Sequence, residues 1–126
     1  MWECVTVGLG GFLGSCLRFG LTSWMRGWAI SLPLGTLLSN ILAGFFIGFV
    51  VGLEPSPFAP RAKLFLTTGL CGGLSTFSTF SLETITLLRD GNYPVACLNI
   101  LLNLGVSLLA VVLGLLLAKL IFKKAA

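Results

Sequence analysis

The chain has 126 residues, 56% of them apolar and 10% charged, with no histidine. A soluble domain carries about a quarter charged residues, so this chain lacks the charge to cover a water-facing surface and has too much apolar area for so small a core; disordered chains, which are polar and charge-rich, are excluded too. Eight basic residues against four acidic ones give +4, but the basic residues other than Arg18 lie between or after apolar runs and form no patch for nucleic acid. There they meet lipid headgroups and set orientation.

A bilayer-crossing helix needs about 20 mostly apolar residues, and charges and turn residues divide the chain into four such stretches. The first runs from Cys4 or Val5 to Trp24, with Arg18 as the one basic residue inside an apolar run. It lacks a basic leader and a cleavage site, so it reads as a retained span rather than a signal peptide. After a short loop, Met25 to Pro33, the second covers residues 34–53. The proline-rich stretch Glu54 to Arg61 is a firm boundary. The third span covers 63–88, Arg89-Asp90-Gly91-Asn92 is a turn, and the fourth covers 93–122, ending in Lys123-Lys124. That last span exceeds the minimum length, which predicts tilt or an extended end.

Four crossings put both termini on one side of the membrane. Arg61, Lys63, Lys119, Lys123 and Lys124 fall on that side and Arg26 and Arg89 on the other, a mild bias towards cytoplasmic termini that leaves insertion in both orientations open. Small residues recur at helix-packing spacing in Gly10/Gly14, Gly44/Gly48/Gly52 and Gly69/Gly73. Packing within one chain explains them at least as well as dimerisation does. A transport path through so short a chain requires an oligomer.

Function classes narrow on residue types. Cys4, Cys16, Cys71 and Cys97 are widely spaced in or beside apolar segments, which reads as small buried hydrophobes rather than as disulfides or ligands. Without histidine or an acidic cluster, a zinc or di-iron site has no ligands, and Cys–His or Ser–His nucleophiles are excluded. No catalytic constellation is present, so the chain reads as no enzyme.

Polar residues inside the spans need a reason. In the third span, residues 69–81 hold three glycines and five hydroxyl residues. Helix propensity is poor there, and non-helical backbone at membrane depth survives only when buried in protein or lining a cavity. This predicts a helix broken in mid-membrane, where free carbonyls face cations and free N–H groups face anions. On the second span Thr36, Asn40, Gly44, Gly48 and Gly52 share a face; on the fourth, Asn99, Asn103 and Ser107 do. One buried asparagine is ordinary glue between helices, whereas three polar residues in register read as a path. These stripes hold neutral donors, poor for proton relay and suited to a small anion that must exchange water for hydrogen bonds. Thr79 adds a hydroxyl, and Phe77 and Phe80 offer ring edges of positive character. Arg18 either snorkels to the interface or anchors the first span to a neighbour. Glu83 sits either at a pore mouth or at the bilayer edge.

Three segments carry a resemblance: residues 11–19 (GFLGSCLRF), residues 35–40 (GTLLSN) and residues 72–80 (GGLSTFSTF). Together with the length and four spans, they resemble the Fluc (CrcB) fluoride channels of bacteria. The third motif is highly specific. The resemblance implies an all-α, multi-pass protein of the bacterial inner membrane, one four-helix domain over residues 1–126, with the third helix broken. It implies an antiparallel, dual-topology homodimer in lipid with two fluoride pores; some relatives instead pair two different, oppositely oriented subunits. It implies a structural sodium ion at the dimer centre, held by the carbonyls of Gly72 and Ser75. The family's pore asparagine falls on Asn40, its pore phenylalanines on Phe77 and Phe80, and its polar track on Asn99, Asn103 and Ser107. Members often carry tyrosine and serine where Asn99 and Asn103 stand. The implied activity is passive fluoride export that lowers fluoride toxicity. The chief rival is a small multidrug-type, proton-coupled exporter, which needs a membrane-buried carboxylate; Glu3 and Glu83 are the candidates. A non-transporting membrane assembly protein leaves the aligned polar stripes unexplained.

Overall fold

The computed structural model of the chain describes residues 1–28 and 30–125, with side chains up to Phe122. The Lys123-Lys124 pair taken to end the last span therefore lies outside the described side chains. Among the described residues the regular structure is helical throughout. Three helices are long and apolar enough to cross a membrane: Trp2–Trp28, Leu34–Gly52 and Tyr93–Phe122. They comprise α1 (Trp2–Met25) with a terminal 3₁₀ turn, α2 (Leu34–Gly52), and a last helix described below.

Residues 60–89, read from sequence as one further crossing, form two shorter pieces. The first joins α3 (Pro60–Leu64), a π-helical segment (Phe65–Cys71) and a short α4 (Gly72–Leu74). Ser75 and Thr76 are extended, and α5 (Phe77–Arg89) follows. Helix begins three residues earlier than expected because Pro60 occupies the first helical turn, where its missing N–H costs nothing. The unwound part is also narrower than the glycine-rich stretch. Gly69, Gly72 and Gly73 stay helical, and only two residues leave the helix.

The turn after α5 follows from Gly91. Its φ of 75° suits a residue without Cβ, and the Asn92 N–H to Leu87 carbonyl (2.8 Å) and Gly91 N–H to Leu88 carbonyl (3.1 Å) bonds close the helix end in a Schellman pattern. Pro94 lies in the first turn of α6 (Tyr93–Leu101), and a π segment (Leu102–Val106) leads into α7 (Ser107–Ala125). The extra length expected to appear as tilt is thus partly taken up by a wider turn.

Two close helix pairs build the chain. The first packs α1 on residues 60–74, and the second packs α2 on α7. Backbone meets backbone in both. A Cβ on Gly14 would overlap the Leu70 carbonyl oxygen, and one on Gly48 would overlap that of Val111. The spaced glycines therefore work within one chain. Leucine, isoleucine, valine and phenylalanine side chains populate the outward faces of α1, α6 and α7, as lipid contact requires. Cysteine follows the same logic: Cys71 is buried, whereas Cys4, Cys16 and Cys97 face outward as free thiols. The expectation of buried cysteines holds for Cys71 alone, because lipid accepts a small apolar side chain as readily as the core does.

Candidate functional site

The break at Ser75–Thr76 releases backbone groups that a continuous helix would pair, and other elements take them up. Thr76 N–H, which would otherwise bond the Gly72 carbonyl, donates to Asn40 Oδ1 at 2.7 Å. Asn40 Nδ2 reaches the Thr76 carbonyl at 3.4 Å. Arg18 Nε donates to the Gly73 carbonyl at 3.1 Å. Thr76 then caps α5, its Oγ1 accepting Thr79 N–H at 3.2 Å. Arg18 is thus an anchor of α1 to the end of the first half-helix, where a cation also complements the helix dipole.

The asparagines form a continuous chain. Asn40 Nδ2 donates to Asn103 Oδ1 at 2.9 Å. Asn103 Nδ2 donates to both oxygens of Asn99, at 2.8 Å to Oδ1 and 3.1 Å to the carbonyl. Asn99 Nδ2 donates to Thr84 Oγ1 at 3.0 Å, and Thr84 Oγ1 donates to the Phe80 carbonyl at 2.8 Å. A π segment at Leu102–Val106, one helical turn beyond Asn99, holds Asn103 in this line. The two stripes read from sequence do meet, but their amide donors are largely engaged with one another. Thr84, which closes the line on α5, was missed by the stripe reading; its spacing of four from Phe80 was the available signal.

A cleft of about 540 Å³ opens beside the break. Asn40, Phe77, Phe80, Asn103 and Ser107 line it, as do Gly72 and Ser75. Asn99 is fully buried behind Asn103 and Thr79 lies off the lining; neither faces the cleft. The Phe77 and Phe80 rings stand 5.5 Å apart, tilted by 57°. Phe80 is buried and Phe77 is 73% exposed in the single chain. Ser107 Oγ is buried with no hydrogen-bond partner among the described residues, which leaves a free hydroxyl donor on the cleft wall. Glu83 lies off the cleft lining; its Oε1 accepts from Thr36 Oγ1 at 2.7 Å and its Oε2 is buried without a partner among the described residues.

Comparison with known proteins identifies the family. A family profile described as "CrcB-like protein, Camphor Resistance (CrcB)" matches residues 5–115. The "Fluoride-specific ion channel FluC" of Clostridium perfringens strain 13 is 48% identical over 119 residues, spanning 92% of this chain and 93% of the relative. Proteins of the same name from Clostridium novyi (43% identical; 94% of each chain) and Paraburkholderia xenovorans (45%; 90% of this chain, 91% of the relative) are also similar. A profile match over most of the residues and relatives nearly half identical along almost the full length place this chain in the CrcB family of multi-pass membrane proteins of the bacterial inner membrane.

Proposed function

We propose that this chain is a fluoride-selective channel, not an enzyme, and that it conducts fluoride passively out of the cytoplasm. The observation that carries the reading is the cleft itself: a neutral polar wall, two phenylalanine rings and the N-terminal end of α5 converge beside a helix break. The relatives, nearly half identical along almost the full chain, carry that activity in their names. Fluoride enters cells as neutral hydrogen fluoride, ionises, and is trapped as the anion; a selective pore lets the negative-inside potential drive it out. Fluoride holds water tightly, so a path must replace that water with donors while still releasing the ion. Ser107 supplies a hydroxyl that has no partner among the described residues. Asn40 and Asn103 supply amide protons by exchanging a protein bond for an ion bond. The positive edges of Phe77 and Phe80 supply weak, water-free contacts, and the α5 N-terminus adds partial positive charge. Asn99 and Thr79 support this wall from behind.

Residues 60–74 and 77–89 together make the third of four crossings in this reading. The cleft opens on the flank of the chain, with Gly72 and Phe77 exposed. Unwound backbone and polar side chains on a lipid-facing flank need a protein cover. A second, antiparallel copy supplies it, and the weak basic bias permits insertion both ways. Sodium is the cation this dimer centre suits. The N–H groups of Thr76 and Thr79, ordinary partners of the Gly72 and Ser75 carbonyls, are given to side-chain oxygens instead. Two carbonyl oxygens per chain at a helix C-terminal end form a hard, neutral donor set fit for that ion; bound there, it supplies charge that ties the two copies together.

Efflux from liposomes containing purified protein tests the reading. Fluoride leaves and chloride stays, and Phe80→Ile and Asn40→Asp slow fluoride. Equal chloride efflux, or no fluoride efflux, refutes the channel. Efflux of organic cations that demands a proton gradient makes the chain an exporter instead.

A further inference from the structure

We propose that Thr84 and Asn99 are positioning residues: through Asn103 they set which end of the Asn40 amide accepts the Thr76 N–H at the helix break and which end donates to Asn103 on the cleft wall. This deepens the channel reading, resting on it only for the role of Asn40.

The direction of the chain follows from donor counting. A threonine hydroxyl has one proton, and that of Thr84 goes to the Phe80 carbonyl. Its oxygen therefore presents only lone pairs to Asn99, which must turn Nδ2 towards it. That turn aims Asn99 Oδ1 at Asn103, which answers with Nδ2 and is held there by the Asn99 carbonyl as well. Asn103 then has only Oδ1 to offer Asn40. With its amide nitrogen so engaged, Asn40 turns Oδ1 to the Thr76 N–H released by the break. Reversing any one amide sets two donors or two acceptors face to face. Thr84, Asn99 and Asn103 are 6%, 0% and 4% exposed, so water cannot stand in for a lost partner. Thr84 and Asn99 do not line the cleft; their influence on it passes through Asn103 and Asn40.

The test is the side-chain amide spectrum of ¹⁵N-labelled protein in micelles, with the Asn40 pair assigned by its loss in Asn40→Leu. Thr84→Val, which keeps shape and removes the hydroxyl, moves the Asn40 resonance, and so does Asn99→Leu. Thr84→Ser, which keeps the hydroxyl, leaves it in place. Thr84→Ala serves as the second deletion if the valine variant folds poorly. In liposomes Thr84→Val slows fluoride efflux about three- to tenfold, the range one hydrogen bond commands, and Thr84→Ser restores it. An unmoved Asn40 resonance in Thr84→Val, or fluoride efflux at the parent rate in that variant, overturns the proposal. If the parent protein passes no fluoride while the Asn40 resonance still moves in Thr84→Val, the channel reading fails and the orienting chain stands.

Discussion

Gly14→Ala tests whether the break is held in place by close backbone packing. Gly14 faces the half-helix that ends at the break. A Cβ there overlaps the Leu70 carbonyl oxygen and lies 2.7 Å from Leu74 N and 3.0 Å from the Gly73 carbonyl carbon. Backbone atoms have no rotamer to escape into, so α1 and residues 60–74 must part by about 0.7 Å to restore ordinary contact at Leu74 N alone, an overpacking that costs about 1–3 kcal/mol. Alanine also gains about 1 kcal/mol in helix propensity over glycine. Gly20→Ala, on the same helix, isolates that gain because nothing lies within 4 Å of its Cβ. The propensity terms cancel between the two variants, leaving Gly14→Ala less stable than Gly20→Ala by about 1–3 kcal/mol. Equilibrium unfolding in mixed detergent measures the difference. Fluoride efflux should fall in Gly14→Ala and hold in Gly20→Ala, since only the first displaces Gly72 and Ser75. Equal unfolding midpoints for the two variants would refute the packing argument.

Other perturbations follow from the same geometry. Thr76→Val removes the oxygen that caps α5 and lowers stability by about 1 kcal/mol, while Thr76→Ser keeps the cap and most of the stability; unfolding midpoints decide. Gly91→Ala places a Cβ at a φ of 75° and destabilises the turn by about 1–2 kcal/mol, read by the same method. Replacing sodium with a bulky organic cation during purification lowers fluoride efflux over time, and adding sodium back restores it; efflux indifferent to sodium refutes the proposed cation site. A loop cysteine introduced into a chain lacking the exposed Cys4, Cys16 and Cys97 labels from both sides of the membrane if insertion is dual, and from one side if it is not.

Much of the framework is legible in the sequence because lipid simplifies the code. The three long helices match their apolar runs within a few residues, and the Gly91 turn lies where Arg89-Asp90-Gly91-Asn92 announced it. The break also falls inside the glycine- and hydroxyl-rich stretch, though composition gave no way to choose among its 13 positions. The structure places it at Ser75–Thr76, because Gly69 and Gly73 are committed to α1 and Thr76 can act as a cap. The π segments at Phe65–Cys71 and Leu102–Val106 have no periodic signature; they are visible only once tertiary contacts fix both helix ends. The asparagine stripe was legible as a line of residues, but whether its donors were free depended on partners on α2 and α5. Arg18 illustrates the same limit, since its partner is 55 residues away.

The break and its partners are best understood as one unit. An unpaired backbone group in the hydrocarbon region costs several kcal/mol, so two extended residues at that depth require compensation from elsewhere. Each compensation comes from a different place in the chain: Arg18 on α1 for the Gly73 carbonyl, Asn40 on α2 for the Thr76 N–H, and Thr76 itself for the Thr79 N–H. The accounting is selective. It satisfies the Thr76 and Thr79 N–H groups and leaves the carbonyls of Gly72 and Ser75, two residues that line the cleft, without their usual helical partners. Acceptors left over at a helix C-terminal end favour a cation, while the capped start of α5 and the Ser107 hydroxyl beside the same cleft favour an anion. One interruption of two residues thus creates two environments of opposite sign. Among the described residues no charged group lines the cleft, so the proposed handling of two ions rests on backbone dipoles and neutral donors that these three anchors hold apart.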